Sequence, residues 1–161
     1  MGTTPASDVV IKSATPTITA SVAYTADDAL GGKLTFSDVV RDVGNLTKRS
    51  GLLHSIKITD AAKQKAAMDL ILFSADFTAT ADADAMDIIP ADQPKVIHIV
   101  SIAPGDYSDF VRCSVATLAN LSIPVKLATA HLYAQLVVRG TPTYAAASDI
   151  TVEIRFIPDD V

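Results

Sequence analysis

Two stretches, His131-Leu-Tyr-Ala-Gln-Leu-Val-Val-Arg139 and Asp149-Ile-Thr-Val-Glu-Ile-Arg-Phe-Ile157, decide the fold class of this chain. In both stretches the even-numbered positions are apolar, whereas most of the intervening residues are polar. Because successive side chains of a strand point to opposite faces, each stretch is predicted to be a half-buried antiparallel strand. Their opposed apolar faces predict that the two strands pair with each other.

Other strand-like segments follow the same logic along the chain, separated by residues typical of turns. The predicted strands are Thr15–Val22, Lys33–Val43, Leu52–Thr59, Ala66–Ser74, Lys95–Ile102, Tyr107–Thr117 and Val125–Leu127. Tyr24–Gly32 is predicted to be a loop, and Phe77–Pro90 is the most helix-like segment, with Asp82 or Asp84 as its N-cap. This pattern predicts an all-β fold, an antiparallel β-sandwich of jelly-roll type with little helix; a closed barrel is the alternative.

The length of 161 residues fits one domain. Met1–Ala14 is rich in Thr, Ser, Ala and Pro, so residues 1–14 are predicted to be a flexible N-terminal arm. Residues 15–161 are predicted to be a single jelly-roll-like β domain. No signal peptide is visible and no apolar run approaches the ~18 residues that span a bilayer, so we expect a soluble protein without a membrane partner, made in the cytoplasm.

The charge argues against a nucleic-acid partner, and the cysteine count argues against a disulfide or a cysteine-rich zinc site. The net charge is −5, and Lys48-Arg49 with Arg41 nearby is the densest basic cluster. Nucleic-acid binders neutralise a run of phosphates with basic residues, so no nucleic-acid partner is expected. The chain has one cysteine, which excludes an internal disulfide and a cysteine-rich zinc site. We therefore expect folding to need neither a metal nor a disulfide.

Three groups of residues are candidates for a metal site or a catalytic site. Asp82, Asp84 and Asp87 are clustered as calcium ligands often are, but the glycine and distal glutamate of a calcium loop are missing, and a helix start is the simpler interpretation. The three histidines, His54, His98 and His131, would bind zinc only if they converged. The lone cysteine, Cys113, is interpreted as a small buried residue. No catalytic, cofactor-binding or metal-binding residue is predicted, and no enzyme activity or cofactor is expected.

Three stretches carry a family resemblance: Ala29–Phe36, Ser55–Phe73 and Leu132–Val152. In order and spacing they resemble a family of small virion proteins of tailed phages, some of which are cement or head-decoration proteins. The resemblance implies a jelly-roll-like subunit on the virion that binds the outer surface of an assembled capsid. It implies the phage major capsid protein as a partner and supplies no catalytic residues.

The expected function is therefore that of a structural virion protein, a cement or decoration subunit on the capsid exterior that stabilises the shell. The high apolar share and the lack of a disulfide favour a homodimer or a homotrimer. The arm Met1–Ala14 is the predicted second contact with the capsid. The alternative is a carbohydrate- or receptor-binding jelly-roll module of a virion fibre or appendage, and a small hydrolase or metal-dependent enzyme is the least supported hypothesis.

Overall fold

The computed structural model describes residues 9–40 and 49–159. Within these ranges the chain forms ten strands and two short 3-10 helices, Gln93–Lys95 and Pro104–Asp106. The strands are β1 (Val10–Ala14), β2 (Ala29–Phe36), β3 (Ser50–Asp60), β4 (Met68–Phe73), β5 (Val96–Ile102), β6 (Tyr107–Asp109), β7 (Ser114–Leu118), β8 (Ile123–Lys126), β9 (Leu132–Val138) and β10 (Ile150–Pro158).

The strands form two antiparallel sheets that pack face to face. The first sheet has the order β1-β10-β3-β7-β6, and β8 pairs with β3 beyond the end of β7. The second sheet has the order β2-β9-β4-β5. The predicted all-β antiparallel sandwich is confirmed, and the described strands form two separate sheets rather than one closed barrel.

The two stretches that decided the fold class are both strands, but the prediction that they pair is wrong. β9 lies in the second sheet between β2 and β4, whereas β10 lies in the first sheet between β1 and β3. Their apolar faces meet in one core cluster, which contains Leu136 from β9 and Ile154 from β10. The connector of residues 139–149 carries the chain from one sheet to the other, so opposed apolar faces here mark strands on either side of a core.

Three of the remaining predicted strands are confirmed with small changes of boundary. β3 covers Leu52–Thr59 and β5 covers most of Lys95–Ile102. β4 is buried at all six positions, which confirms the interpretation of Ala66–Ser74 as a strand buried on both faces. The predicted strand Val125–Leu127 corresponds to β8, which begins two residues earlier and ends one residue earlier.

Four segments differ from the predictions. Thr15–Val22 is not a strand; its amides at Ile18 and Ser21 bond instead to carbonyls of the β9–β10 connector. Tyr107–Thr117 is a hairpin of β6 and β7 rather than one strand. β2 begins at Ala29, inside the predicted loop, and ends at Phe36. Of the predicted arm, residues 1–8 lie outside the described residues and Val10–Ala14 forms β1, paired with β10.

A bulge at Gly31-Gly32 explains why the first half of β2 falls in the predicted loop, whereas its second half falls in the predicted strand Lys33–Val43. The register between β2 and β9 shifts between Leu30 and Leu34, so the glycine pair interrupts an otherwise regular strand. Gly31 has a φ of 69°, and a Cβ built there would lie 2.5 Å from the Cβ of Pro16. Only glycine satisfies both the backbone conformation and the close approach of Pro16.

The predicted helix at Phe77–Pro90 is wrong. Residues 74–92, called the outer coil below, form an irregular segment on the outer face of the second sheet. The coil covers apolar side chains of that face in a second, smaller core cluster: Ile71, Phe73, Phe77 and Val137, with Met86 and Ile88 against them. The apolar residues of the coil pack against this face of the sheet. Their spacing therefore matches the sheet rather than one side of a helix.

Candidate interaction surface

The hairpin between β6 and β7 presents the two most exposed large hydrophobic side chains of the described residues. Its tip, Phe110-Val111-Arg112-Cys113, is called the hairpin tip below. Val111 is 94% exposed and Phe110 is 57% exposed. A single exposed apolar residue is ordinary, but two consecutive ones at a loop tip form a patch suited to contact with another macromolecule.

Four hydrogen bonds hold the hairpin tip in place. The Phe110 N–H donates to the Cys113 carbonyl at 2.8 Å, which closes the turn. Lys63 Nζ donates to the Phe110 carbonyl at 2.8 Å, and Lys65 Nζ lies 2.9 Å from Asp109 Oδ2. The Ser114 hydroxyl donates to the other Asp109 oxygen at 2.5 Å. These bonds fix the backbone of the tip, so a partner would meet an ordered apolar projection.

The charges around the hairpin tip are mixed. Hydrogen bonds from Lys65 and Ser114 lower the pKa of Asp109, so this carboxylate stays ionised and paired. Arg112 is exposed at the hairpin tip. Lys63, in the β3–β4 loop, donates its hydrogen bond to the Phe110 carbonyl of the tip. The tip therefore combines an apolar centre with a cationic side chain, a combination common at the contact centres of protein interfaces.

Asp82, Asp84 and Asp87, considered above as calcium ligands, do not converge. Asp84 and Asp87 are exposed, and their main chains pair with Ala29 and Thr80. Among the described residues, no group of three His, Cys, Asp or Glu side chains lies close enough to hold a metal ion.

Asp82 anchors the outer coil to the rest of the molecule. Its carboxylate accepts hydrogen bonds from the Gly31 N–H at 2.6 Å, the Thr19 N–H at 2.8 Å and the Tyr24 hydroxyl at 2.8 Å. Burial raises the pKa of Asp82, but these donors together bring it below its usual value. The residue read as a helix N-cap is thus a bound carboxylate that joins three segments.

Gln135 is a second anchor, which the sequence reasoning missed. It is fully buried on the outer face of β9. Its Nε2 donates to the Thr80 carbonyl at 2.7 Å and to the Gly31 carbonyl at 3.0 Å, and its Oε1 accepts from the Thr80 N–H at 3.1 Å. The one available signal was a glutamine placed between Tyr133 and Val137 on a face of mixed character.

Asp60 is a buried carboxylate at the end of β3, also missed from the sequence. Its Oδ2 accepts from the Lys65 N–H at 2.8 Å, while its Oδ1 and the Tyr144 hydroxyl, both buried, have no hydrogen-bond partner within the described part of the chain. Burial raises the pKa of Asp60 above its usual value, against the lowering effect of backbone N–H groups in the β3–β4 loop. Asp60 shapes the β3–β4 loop, because its hydrogen bonds among the described residues come from backbone N–H groups of that loop.

The three histidines occupy different parts of the sandwich. His54 is half-buried on β3, and His131 precedes β9 and accepts a hydrogen bond at Nδ1 from the Asp38 N–H at 3.1 Å. His98 lies on β5 and is exposed. Cys113 is half-buried at the hairpin tip rather than fully buried.

The basic residues near Lys48 were considered for nucleic-acid binding, and the tyrosines could stack on a sugar. Arg41 and Lys48 lie outside the described residues, and Arg49 donates to the Ala128 carbonyl. Three of the four tyrosines are buried, so their rings are not available to stack on a sugar: Tyr24, Tyr107 and Tyr144. No helix in the described part of the chain has the length and apolar character needed to cross a bilayer.

Comparisons with known proteins assign no family to this chain. No protein-family model matches it, and no curated protein matches it. The hairpin tip, described from geometry alone, is therefore the candidate functional site.

Proposed function

We propose that this protein is a structural virion protein, a cement or decoration subunit that binds the outside of an assembled phage capsid and stabilises it. The proposed partner is the phage major capsid protein, and the proposed location is the capsid exterior. The observation that carries the proposal is the hairpin tip, where an ordered turn presents Phe110 and Val111 to solvent. Apolar anchors of this kind supply much of the binding energy in protein interfaces.

The order of the strands supports the jelly-roll part of the proposal. The pairs β4–β5, β3–β7, β2–β9 and β1–β10 are nested, as if the chain were one long hairpin folded back at the β4–β5 connection. Rolling up such a hairpin gives two sheets with Greek-key connections, which is the arrangement of a jelly roll.

The pattern of buried and exposed groups also favours a binding role. The polar clusters described above are built into the fold: Asp82 and Gln135 hold the outer coil, and Asp60 holds a loop. What the surface offers to another molecule is an apolar projection beside a cation. Each contact of a decoration subunit needs only modest affinity, since many copies on one shell give avidity.

Binding to phage heads tests the proposal. Purified protein is mixed with undecorated heads of the phage that encodes it, and bound protein is quantified after sedimentation. Replacing both tip residues, Phe110→Ser with Val111→Ser, should weaken binding roughly 30-fold or more, because loss of an anchor costs about 2 kcal/mol. The control is Leu52→Ser, which removes an exposed apolar side chain of β3, outside both the hairpin tip and the predicted arm, and should leave binding unchanged.

Two results would count against the proposal. If the tip variant binds as tightly as the control, the tip is not the contact. If the unaltered chain never binds heads, and heads without it withstand heat and low salt equally well, the cement role itself fails.

A further inference from the structure

β5 forms one edge of the second sheet and is paired on one side only. It pairs with β4, and no described strand lies on its other side. A register shift at Phe73 leaves Ile97 as a bulge, after which His98–Ile102 is regular. Alternate residues of an edge strand direct their N–H and C=O groups away from the sheet. The edge of β5 therefore offers a row of backbone groups for another strand.

The other sheet edges of the described chain carry features that discourage pairing. β1 has Lys12, β6 has only three residues, and β8 contains Pro124. β2 is bulged and is covered by the outer coil through hydrogen bonds between Ala29 and residues 83 and 84. Natural sheets protect their edges by such means. Beyond its bulge at Ile97, β5 lacks these features, since His98–Ile102 is regular and contains neither proline nor Lys, Arg, Asp or Glu.

A groove of about 470 Å³ runs along the edge of β5. Four consecutive residues of β5, from His98 to Ser101, line one wall, so the groove follows the strand edge rather than one face. The opposite wall comes from the segment that joins β7 to β8: Leu118, Leu121, Ser122, Ile123 and Pro124. The groove thus places apolar surface next to the unpaired backbone.

The sequence of β5 suits pairing with itself. The chain carries a net charge of −5, so two copies repel each other through their net charges. β5, Val96-Ile-His-Ile-Val-Ser-Ile102, carries no Lys, Arg, Asp or Glu. An antiparallel pair centred on Ile99 would place Ile99 against the same residue of the partner and His98 opposite Val100, with side chains of each pair on one face.

We propose that β5 is the interface with a second copy of this chain. The two β5 strands pair antiparallel about a twofold axis at Ile99, and the two four-stranded sheets become one continuous sheet. Ile99, 48% exposed in the single chain, is then covered by its counterpart. Such an interface is isologous and closes with two subunits, so it predicts a dimer. The inference concerns the free protein and does not rest on the capsid role.

Sedimentation velocity over a concentration series tests the inference. The unaltered chain should sediment at twice the mass of one chain, and Ile99→Lys should sediment as a single chain, because two lysines would face each other at the axis. The matched control is Ile11→Lys, on the edge strand β1 and 52% exposed, which should remain a dimer. An unaltered chain that is monomeric or trimeric overturns the proposal, as does an Ile99→Lys dimer.

A cross-linking experiment decides the case if Ile99→Lys does not fold. Directly opposed residues of an antiparallel pair have Cα atoms about 4.5–5.5 Å apart, within the range that a disulfide spans. In a Cys113→Ser background, which removes the only native cysteine, Ile99→Cys should form a covalent dimer on mild oxidation. Ile11→Cys in the same background should not. Equal cross-linking of both variants, or none of Ile99→Cys, overturns the proposal.

Discussion

Replacing Gln135 tests whether a buried amide holds the outer coil against the second sheet. Gln135→Met keeps an unbranched side chain of similar length but removes three hydrogen bonds, two to Thr80 and one to Gly31. At about 1 kcal/mol net for each bond, the loss is roughly 3 kcal/mol, and the greater apolar character of methionine offsets part of it. We expect the free energy of unfolding to fall by about 2–3 kcal/mol. For a chain of this size, that lowers Tm by roughly 4–12 °C.

Urea unfolding followed by circular dichroism measures the free energy, and amide hydrogen exchange at Thr80 reports the local effect. The Thr80 N–H donates to Gln135, so its exchange should accelerate in Gln135→Met more than that of core amides in β9. The matched control is Gln64→Met, an exposed glutamine whose one described bond is 3.4 Å long. Its stability should stay within about 0.5 kcal/mol of the unaltered chain. If both variants behave alike and Thr80 exchange is unchanged, the amide does not anchor the coil.

Three further predictions concern the core, a buried carboxylate and the first strand. Leu136→Ala or Ile154→Ala, both fully buried, should each cost about 2–5 kcal/mol, and an unchanged melting temperature would place them outside the core. Burial raises the pKa of Asp60 in the folded state, so its stabilising contribution is complete below its unfolded pKa and is lost as pH rises through the folded value. The unfolding free energy of Asp60→Asn relative to the unaltered chain should therefore increase from pH 3 to pH 7; a flat difference would contradict this. Deleting residues 1–8 should weaken head binding and leave Tm unchanged, whereas deletion through Ala14 should also lower Tm because it removes β1; equal Tm values would show that β1 adds no stability.

Side-chain alternation predicted the faces of the strands well but not their partners. In β10 the even positions Ile150 to Phe156 are all buried, as the pattern required. The same rule placed Leu136 in the core. Alternation carries no information on which strand lies alongside, and here the connector at residues 139–149 takes the chain to the opposite sheet. Pairing depends on long-range contacts, which a local pattern does not encode.

The outer coil shows a second limit of local patterns. Its acidic residues and its short apolar run resembled a capped helix, yet Asp82 receives its hydrogen bonds from Thr19, Tyr24 and Gly31, which are at least 51 residues away in the chain. A local helix would satisfy only its own first N–H groups. The tertiary bonds join three donors from two other segments of the chain to one carboxylate of the outer coil. The irregular coil forms in place of a helix because its tertiary hydrogen bonds satisfy polar groups of several segments. A local sequence pattern does not reveal these bonds.

The outer coil also explains why the mixed face of β9 is buried. Val137 and Gln135 on this face require a cover, and the coil supplies Phe77, which stacks on Phe73 with ring centroids 3.8 Å apart. Apolar contact alone would allow the coil to slide along the sheet, since it is not directional. Bonds at fixed geometry to Gln135 and Asp82 remove that freedom, because any shift would leave buried donors and acceptors without partners. With one face of the second sheet closed in this way, the hairpin tip presents the most exposed large apolar side chains of the described residues, and the edge of β5 presents unpaired backbone beside the exposed Ile99. The two proposals rest on these two surfaces.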